Sequence, residues 1–206
     1  MTTYKDYDLF LFEPDWIRTP SLSFQHPIDS LLNAPGKSYF DSSFLETSLS
    51  IKALFSSVSR SEAYDLLNFF DNKLGRYDVF WIPSWQKDII ISDAFSASDL
   101  TLTIEKELYG NIWYDSFSTG HFLFFKWPDG DFSCRKVVSM PSETQITLEE
   151  AIGKDCSTDD LNRLMVSFLF FVRFDQDEIE IEWRTEEFAS CELSFKTLPL
   201  EALTIE

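Results

Sequence analysis

The sequence predicts a mainly β fold, sandwich-like or barrel-like, with one well-capped α-helix packed on the sheet and a small β insertion. Three observations carry that expectation. Aromatic residues make up 17% of the chain while glycine occurs only 6 times in 206 residues, a composition that favours strands around a dense core. Apolar residues recur mostly at every second position, the period of a half-buried strand. A single stretch carries a complete set of helix signals. At this length a chain buries roughly 70% of the surface its unfolded form would expose, enough for one domain or one domain carrying an insertion.

The elements follow in order. In FLETSLSIKALF, residues 44–55, Leu45, Thr47, Leu49, Ile51, Ala53 and Phe55 share one side and Glu46, Ser48, Ser50 and Lys52 the other, as in a strand with one face on the core. Between Ser59 and Gly75 comes the helix, expected over 60–74. Ser59 and Glu62 form an S-x-x-E capping box, each side chain able to satisfy a backbone group at the helix start. Ala63, Leu66, Leu67, Phe70 and Leu74 then paint one apolar stripe. Gly75 supplies the left-handed residue that ends the helix, and Lys73 and Arg76 complement its dipole.

VFWI (79–82) and DIII (88–91) read as short strands interrupted at Pro83, since proline cannot donate to a ladder. Trp81, Pro83 and Trp85 sit at the bend and read as a rigid structural corner, because large rings at a bend usually complete a core. In the middle third, LTLTI (100–104) alternates. HFLFFKW (121–127), the Asp-Gly turn of PDGD and FSCRKVVSM (132–140) together read as a hairpin. QITLEEAI closes this unit, and STDDLNRL (157–164) starts a short helical turn. MVSFLFFVRF (165–174) is apolar on both faces, as a central buried strand would be. DEIEIEW (177–183) places Ile179, Ile181 and Trp183 on one face and Glu178, Glu180 and Glu182 on the other, and CELSFKTL (191–198) turns Cys191, Leu193 and Phe195 inward. Residues 1–92 with 164–206 thus read as the β core, and 93–163 as the inserted subdomain.

Charge narrows the function. Lys and Arg total 17 against 35 for Asp and Glu, so the formal charge is −18. Nucleic-acid binding and anionic membrane surfaces both call for the opposite sign. The longest apolar stretch, around FLFFV (168–172), falls well short of the roughly 20 residues a membrane helix needs. The start, MTTYKDYDLFLFEPDW, has acids where a signal peptide has bases, so export by the usual route is not expected. Cys134, Cys156 and Cys191 are widely spaced without a CxxC pair and read as buried thiols.

Candidate chemistry is sparse. His26 and His121 stand far apart, in no nucleophile, metal or general-base motif, and read as strand-end or surface residues. No G-x-S-x-G, Walker, G-x-G-x-x-G or H-E-x-x-H pattern occurs, so no cofactor and no metal site are expected. Carboxylates are abundant, with Asp175, Asp177, Glu178, Glu180 and Glu182 crowded together. Same-face glutamates two apart on a strand stand about 7 Å from one another. That spacing could serve a glycosidase pair or a weak Ca²⁺ site. A catalytic pair usually sits on separate strands in a cleft, however, and such a row is more often a solvated or intersubunit face. WPDGD fits a hairpin turn better than an EF-hand. From another class, a β-sandwich exposing Trp85, Trp113 or Tyr114 would be a carbohydrate-binding module stacking those rings on sugars.

The order of the pieces says more than any one of them. An early EPDW, a strand, a capped helix, F-W-x-P-S-W-x-x-D at Phe80–Asp88, a β insertion, then R-F-D-x-D-x-x-E-I-x-W at Arg173–Trp183 resembles the minor tail proteins of long-tailed bacteriophages and prophages, most of all the distal tail protein. The resemblance implies a non-enzymatic virion component built on a β-sandwich or barrel-like domain with a helix. Such proteins usually form a hexameric ring at the tail tip, assembled in the host cytoplasm. Their partners are other copies of the chain, the tail tube protein and the baseplate hub, with no specific nucleic-acid or membrane binding. On that footing residues 1–92 and 164–206 would build the ring, and 93–163 would face outward or towards neighbouring tail proteins. Glu178, Glu180 and Glu182 would either line a lumen whose negative wall repels passing DNA or meet the next subunit. The family has no catalytic residues to carry over.

Overall fold

A computed structural model describes residues 2–16, 20–25, 29–32, 38–41, 48–105, 109–115 and 121–198. In chain order its elements are β1 (Thr3–Tyr4), β2 (Tyr7–Asp8), β3 (Ser21–Gln25), β4 (Asp29–Leu32), β5 (Ser38–Asp41), β6 (Ser48–Ser59), α1 (Arg60–Asn72) and β7 (Phe80–Pro83). There follow β8 (Thr101–Thr103), β9 (Phe122–Lys126), β10 (Phe132–Ser142), β11 (Gln145–Leu148), β12 (Met165–Phe174), β13 (Glu182–Trp183) and β14 (Phe188–Thr197). The protein is mainly β, with α1 packed against antiparallel sheet, and among the described residues the strands of neither unit close into a barrel. One unit comprises Met1–Leu11 and Phe80–Phe171, the other Phe12–Val79 and Val172–Thr204. The boundaries drawn from sequence at 92/93 and 163/164 both fall inside the first.

In the second unit β3, β6 and β14 lie side by side and antiparallel, and Val172–Phe174 of β12 pairs with Phe195–Thr197 of β14. Register puts Leu49, Ile51, Ala53 and Phe55 on the same side as Cys191, Leu193, Phe195 and Phe174, and all are buried. The alternation read from 49 to 55 is therefore the core face of β6, while Leu45 and Thr47 lie outside the described residues. The helix covers this face: Ala63, Leu66, Phe69 and Phe70 are buried, with the Phe69 and Phe70 rings 6.3 and 4.9 Å from Phe174. Each such side chain taken from water contributes about 1.5–3 kcal/mol.

The cap forms as expected. The Ser59 backbone N–H donates to Glu62 Oε2 at 2.9 Å, and the Glu62 N–H donates back to Ser59 Oγ at 3.3 Å. The Ser59 hydroxyl, donating to Glu62 Oε2 at 2.7 Å, and then the Ser59 backbone N–H hold the Glu62 carboxyl below its ordinary range. One helix expectation fails: Leu74 is 67% exposed. The helix ends at Asn72, and the chain turns left-handed at Leu74 (φ 50°) and Gly75 (φ 61°), which swings Leu74 off the apolar stripe. At Gly75 an added Cβ would lie 3.3 Å from Asp177 Cα, so the turn and the close approach both require glycine.

In the first unit, Met165–Phe168 of β12 pairs with Leu123–Lys126 of β9, β9 with β10, β10 with β11, and β11 with β8. Every residue of β12 from Val166 to Val172 is buried, as its two-sided apolar character requires. The β9–β10 turn uses Gly130 at φ 91°, and the Trp127 N–H donates to the Asp131 carbonyl at 2.9 Å.

Two expected elements, DIII and DEIEIEW, are corrected. DIII is not a strand; Ile89 and Ile91 make single bridges, to Val166 and Ile104. STDDLNRL makes short helical turns as expected, the Leu161 N–H donating to the Ser157 carbonyl at 3.2 Å and the Leu164 N–H to the Asp160 carbonyl at 2.8 Å, with Ser157 Oγ bonded to Asp160. DEIEIEW is extended and paired only at Glu182–Trp183, against Ser190 and Ala189 of β14. Instead of facing a core, Ile179 and Ile181 are half-buried and Trp183 is exposed. The chain leaves the ladder after the Asp175 N–H bonds the Ser194 carbonyl, and Asp177 then meets Arg76 beyond the helix end. A π-helical turn at Tyr109–Tyr114 occupies a stretch with no readable periodicity.

Candidate functional site

The corner at Phe80–Asp88 is built from buried aromatics and one half-buried carboxylate. Trp81 is fully buried; its indole N–H donates to the Tyr4 carbonyl at 3.0 Å, and its ring lies 4.8 Å from Phe122 and 4.7 Å from Phe171. Pro83 ends β7, buried. Trp85 is 6% exposed and packs 5.7 Å from Phe124, with the Lys126 ammonium 5.5 Å over its ring. Its φ of 58° is a left-handed conformation that bulky residues rarely adopt, and its indole N–H is buried without a partner.

The strained turn persists because the segment around it is bonded to β12. The Ser84 N–H donates to the Phe168 carbonyl at 2.9 Å, the Asp88 N–H to the Val166 carbonyl at 2.9 Å, and Ser167 Oγ to the Gln86 carbonyl at 2.6 Å. Asp88 Oδ2 accepts from the Phe168 N–H at 2.8 Å and from Ser84 Oγ. Burial pushes the Asp88 carboxyl above its ordinary range, while these two bonds oppose the shift. Trp81, Pro83 and Trp85 thus occupy interior positions that hold geometry.

The acidic segment is the opposite case. Glu178, Glu180 and Glu182 are all exposed, and of these Glu182 pairs with Arg184 at 3.4 Å. Arg76 Nε donates to Asp177 at 2.8 Å, which holds that carboxyl below its ordinary range. Trp183, 44% exposed, lies under the Arg60 guanidinium at 5.3 Å. A glycosidase acid needs its pKa raised by an apolar setting. Among the described residues the carboxyl shifted upward is Asp88, which is engaged by Ser84 and Phe168.

The remaining candidates have partners of their own, with Trp113 and Tyr114 half-buried. Trp85 offers no exposed ring face for a sugar, Trp113 lies 4.5 Å from Phe168, and Tyr114 stacks at 4.4 Å on His121, whose Nε2 meets the Tyr114 carbonyl at 2.8 Å. His26 lies outside the described residues. Cys134, Cys156 and Cys191 are free and buried; burial pushes Cys134 and Cys191 up to about 12 and raises Cys156, which leaves them as thiols rather than nucleophiles. In WPDGD, Asp129 and Asp131 both take the Lys154 ammonium, Asp131 at 2.6 Å. Among the described residues no group of three His, Cys, Asp or Glu gathers as a metal set, and no helix is long and apolar enough to cross a membrane.

Two features escaped sequence reasoning as such. Asp88 stood inside a recognised motif, but its role depends on β12 lying alongside. The second is a set of cations that strand register gathers on one sheet face, taken up below. No protein-family model and no curated protein matches this chain.

Proposed function

We propose that the protein is a structural component of a phage-type tail, a distal tail adaptor that works as a ring of identical copies between the tail tube and the baseplate hub. The observation that carries this reading is the division of labour between the two motifs behind the resemblance. Phe80–Asp88 is spent on an interior corner bonded to β12. Arg173–Trp183 leaves the ladder after Asp175, rejoins β14 at Glu182, and presents exposed carboxylates beside an exposed tryptophan. A scaffold of this kind offers rigid geometry inside and a contact surface outside, which suits assembly.

The test is the mass of the purified full chain across micromolar to near-millimolar concentration, with negative-stain imaging of whatever forms. Closed rings of the 24.0 kDa chain are the expected result. A chain that remains monomeric throughout, or that turns over a glycan and loses the activity when one carboxylate is replaced, would overturn the reading.

A further inference from the structure

One face of the second unit's sheet is cationic in an otherwise acidic chain. The parity that sends Ile51, Phe195 and Phe174 towards α1 sends their neighbours the other way. Across β6, β14 and β12 the register sets Lys52 beside Ser194, Ser50 beside Lys196, and Lys196 beside Arg173. Three cations therefore share one side of three adjacent strands, spanning two strand spacings, about 10 Å. Glu192 is the acid whose register position falls on the same side.

Alone, this arrangement is unfavourable, since like charges directly opposite on a sheet repel. None of Lys52, Arg173 or Lys196 has an ion pair among the described residues, although 35 acids are present to supply one. The same unit leaves Glu178 and Glu180 exposed and likewise without an ion pair among the described residues. These acids cannot readily fold back, because Asp177 is held by Arg76 at one end and Glu182 is paired into β14 at the other. From Glu178 to Glu182 an extended chain spans at most about 13 Å, which matches the width of the cationic face.

We propose that the face bearing Lys52, Arg173 and Lys196 docks the Glu178–Glu182 segment of a second copy of this chain, head to tail. This rests on the oligomeric reading above and names the surface that makes it. Two different patches meet, so the contact is heterologous and generates a closed ring where the rotation closes. Half-buried Ser194 keeps the face low beside Lys52 and adds a hydroxyl donor for the incoming carboxylates. Charge complementarity of this kind sets register and rejects a wrong partner.

The experiment is a charge swap in the full chain, read by sedimentation velocity across a salt series. Lys52→Glu with Lys196→Glu weakens self-association at least about tenfold, and so does Glu178→Lys with Glu180→Lys. Mixing the two reversed variants restores it, and wild-type association loosens as salt is raised. Circular dichroism and melting check that each variant folds, and Lys52→Gln with Lys196→Gln gives a milder loss should the reversed pair misfold. Wild type that associates indifferently to both reversals overturns this surface and leaves the oligomeric reading standing. Wild type that is monomeric at every concentration overturns both. A monomer that retains heparin through Lys52 and Lys196 assigns the face to a polyanion and also overturns the proposal.

Discussion

The corner at Phe80–Asp88 and the segment at Asp175–Trp183 look equally rich in signal as sequences, yet they fold in opposite ways. The first has irregular spacing, with Trp81, Pro83 and Trp85 crowded together, and becomes one of the most thoroughly bonded parts of its unit. The second alternates acid and apolar without a break from Glu178 to Trp183 and is paired as strand over only Glu182–Trp183. Periodicity describes which side chains could share a face. A strand also needs a neighbouring backbone to bond, and β14 offers its edge to Val172–Phe174 and to Glu182–Trp183 while in the chain between Asp177 meets Arg76.

This contrast can be broken most sharply at the tryptophans. Trp81→Ala or Trp85→Ala should each cost about 3–5 kcal/mol by chemical denaturation, because each empties a buried site. A cost below about 1 kcal/mol at Trp85 would mean that relief of its left-handed strain offsets the lost packing, and the corner would not be rigid.

Next comes the carboxylate that fastens the corner. Asp88→Ala should cost about 1–3 kcal/mol, since the Phe168 N–H loses its partner in the interior. The pH dependence has a definite sign. Burial raises the Asp88 carboxyl, so the folded chain holds this proton more tightly than the unfolded one. Its contribution is fully present below the ordinary carboxylate pKa and is lost as pH rises through the raised value. The difference in stability between wild type and Asp88→Asn should therefore fall with pH over that window, because Glu62 and Asp177, whose carboxyls are held low, contribute equally to both proteins. A difference that rises instead would mean that the bonds from Phe168 and Ser84 outweigh burial at Asp88, and a flat one would place Asp88 in water.

At the helix end, Gly75→Ala should cost roughly 1–2 kcal/mol for the left-handed backbone alone, with some addition from the Asp177 contact. The smallest effect belongs to the acidic segment. Replacing Glu178, Glu180 and Glu182 by Gln should leave the melting temperature of the monomer nearly unchanged, each substitution within about 0.5 kcal/mol. A large loss there would erase the contrast and make the segment part of the folded core.

Much of the fold was legible because local chemistry and tertiary packing agree. Ser59 and Glu62 cap α1 with atoms three residues apart, which requires nothing from the rest of the chain. The β9–β10 hairpin likewise needs only its Asp-Gly turn and two alternating arms. Leu74 misled because the stripe was extended past the point where Gly75 reverses the chain. DIII misled because its backbone divides between two neighbours, Asp88 and Ile89 bonding Val166 and Ile91 bridging Ile104, so no run of paired residues forms. The candidate contact surface was half legible: the glutamates stood out, whereas Lys52, Arg173 and Lys196 come from three separate segments and meet only through register.

By itself the sequence determined what each stretch prefers: where the helix begins, which side of β6 and β14 turns inward, and that β12 is buried on both faces. These follow from near-neighbour sterics, hydrogen bonds within a few residues and the period of side chains along a strand. Only the tertiary structure decided which edges β14 and β12 offer, that Asp177 meets Arg76 off the ladder, and that three distant cations share a face. Those outcomes depend on backbone partners far away in the chain, and an alternating pattern does not state which partner will claim it.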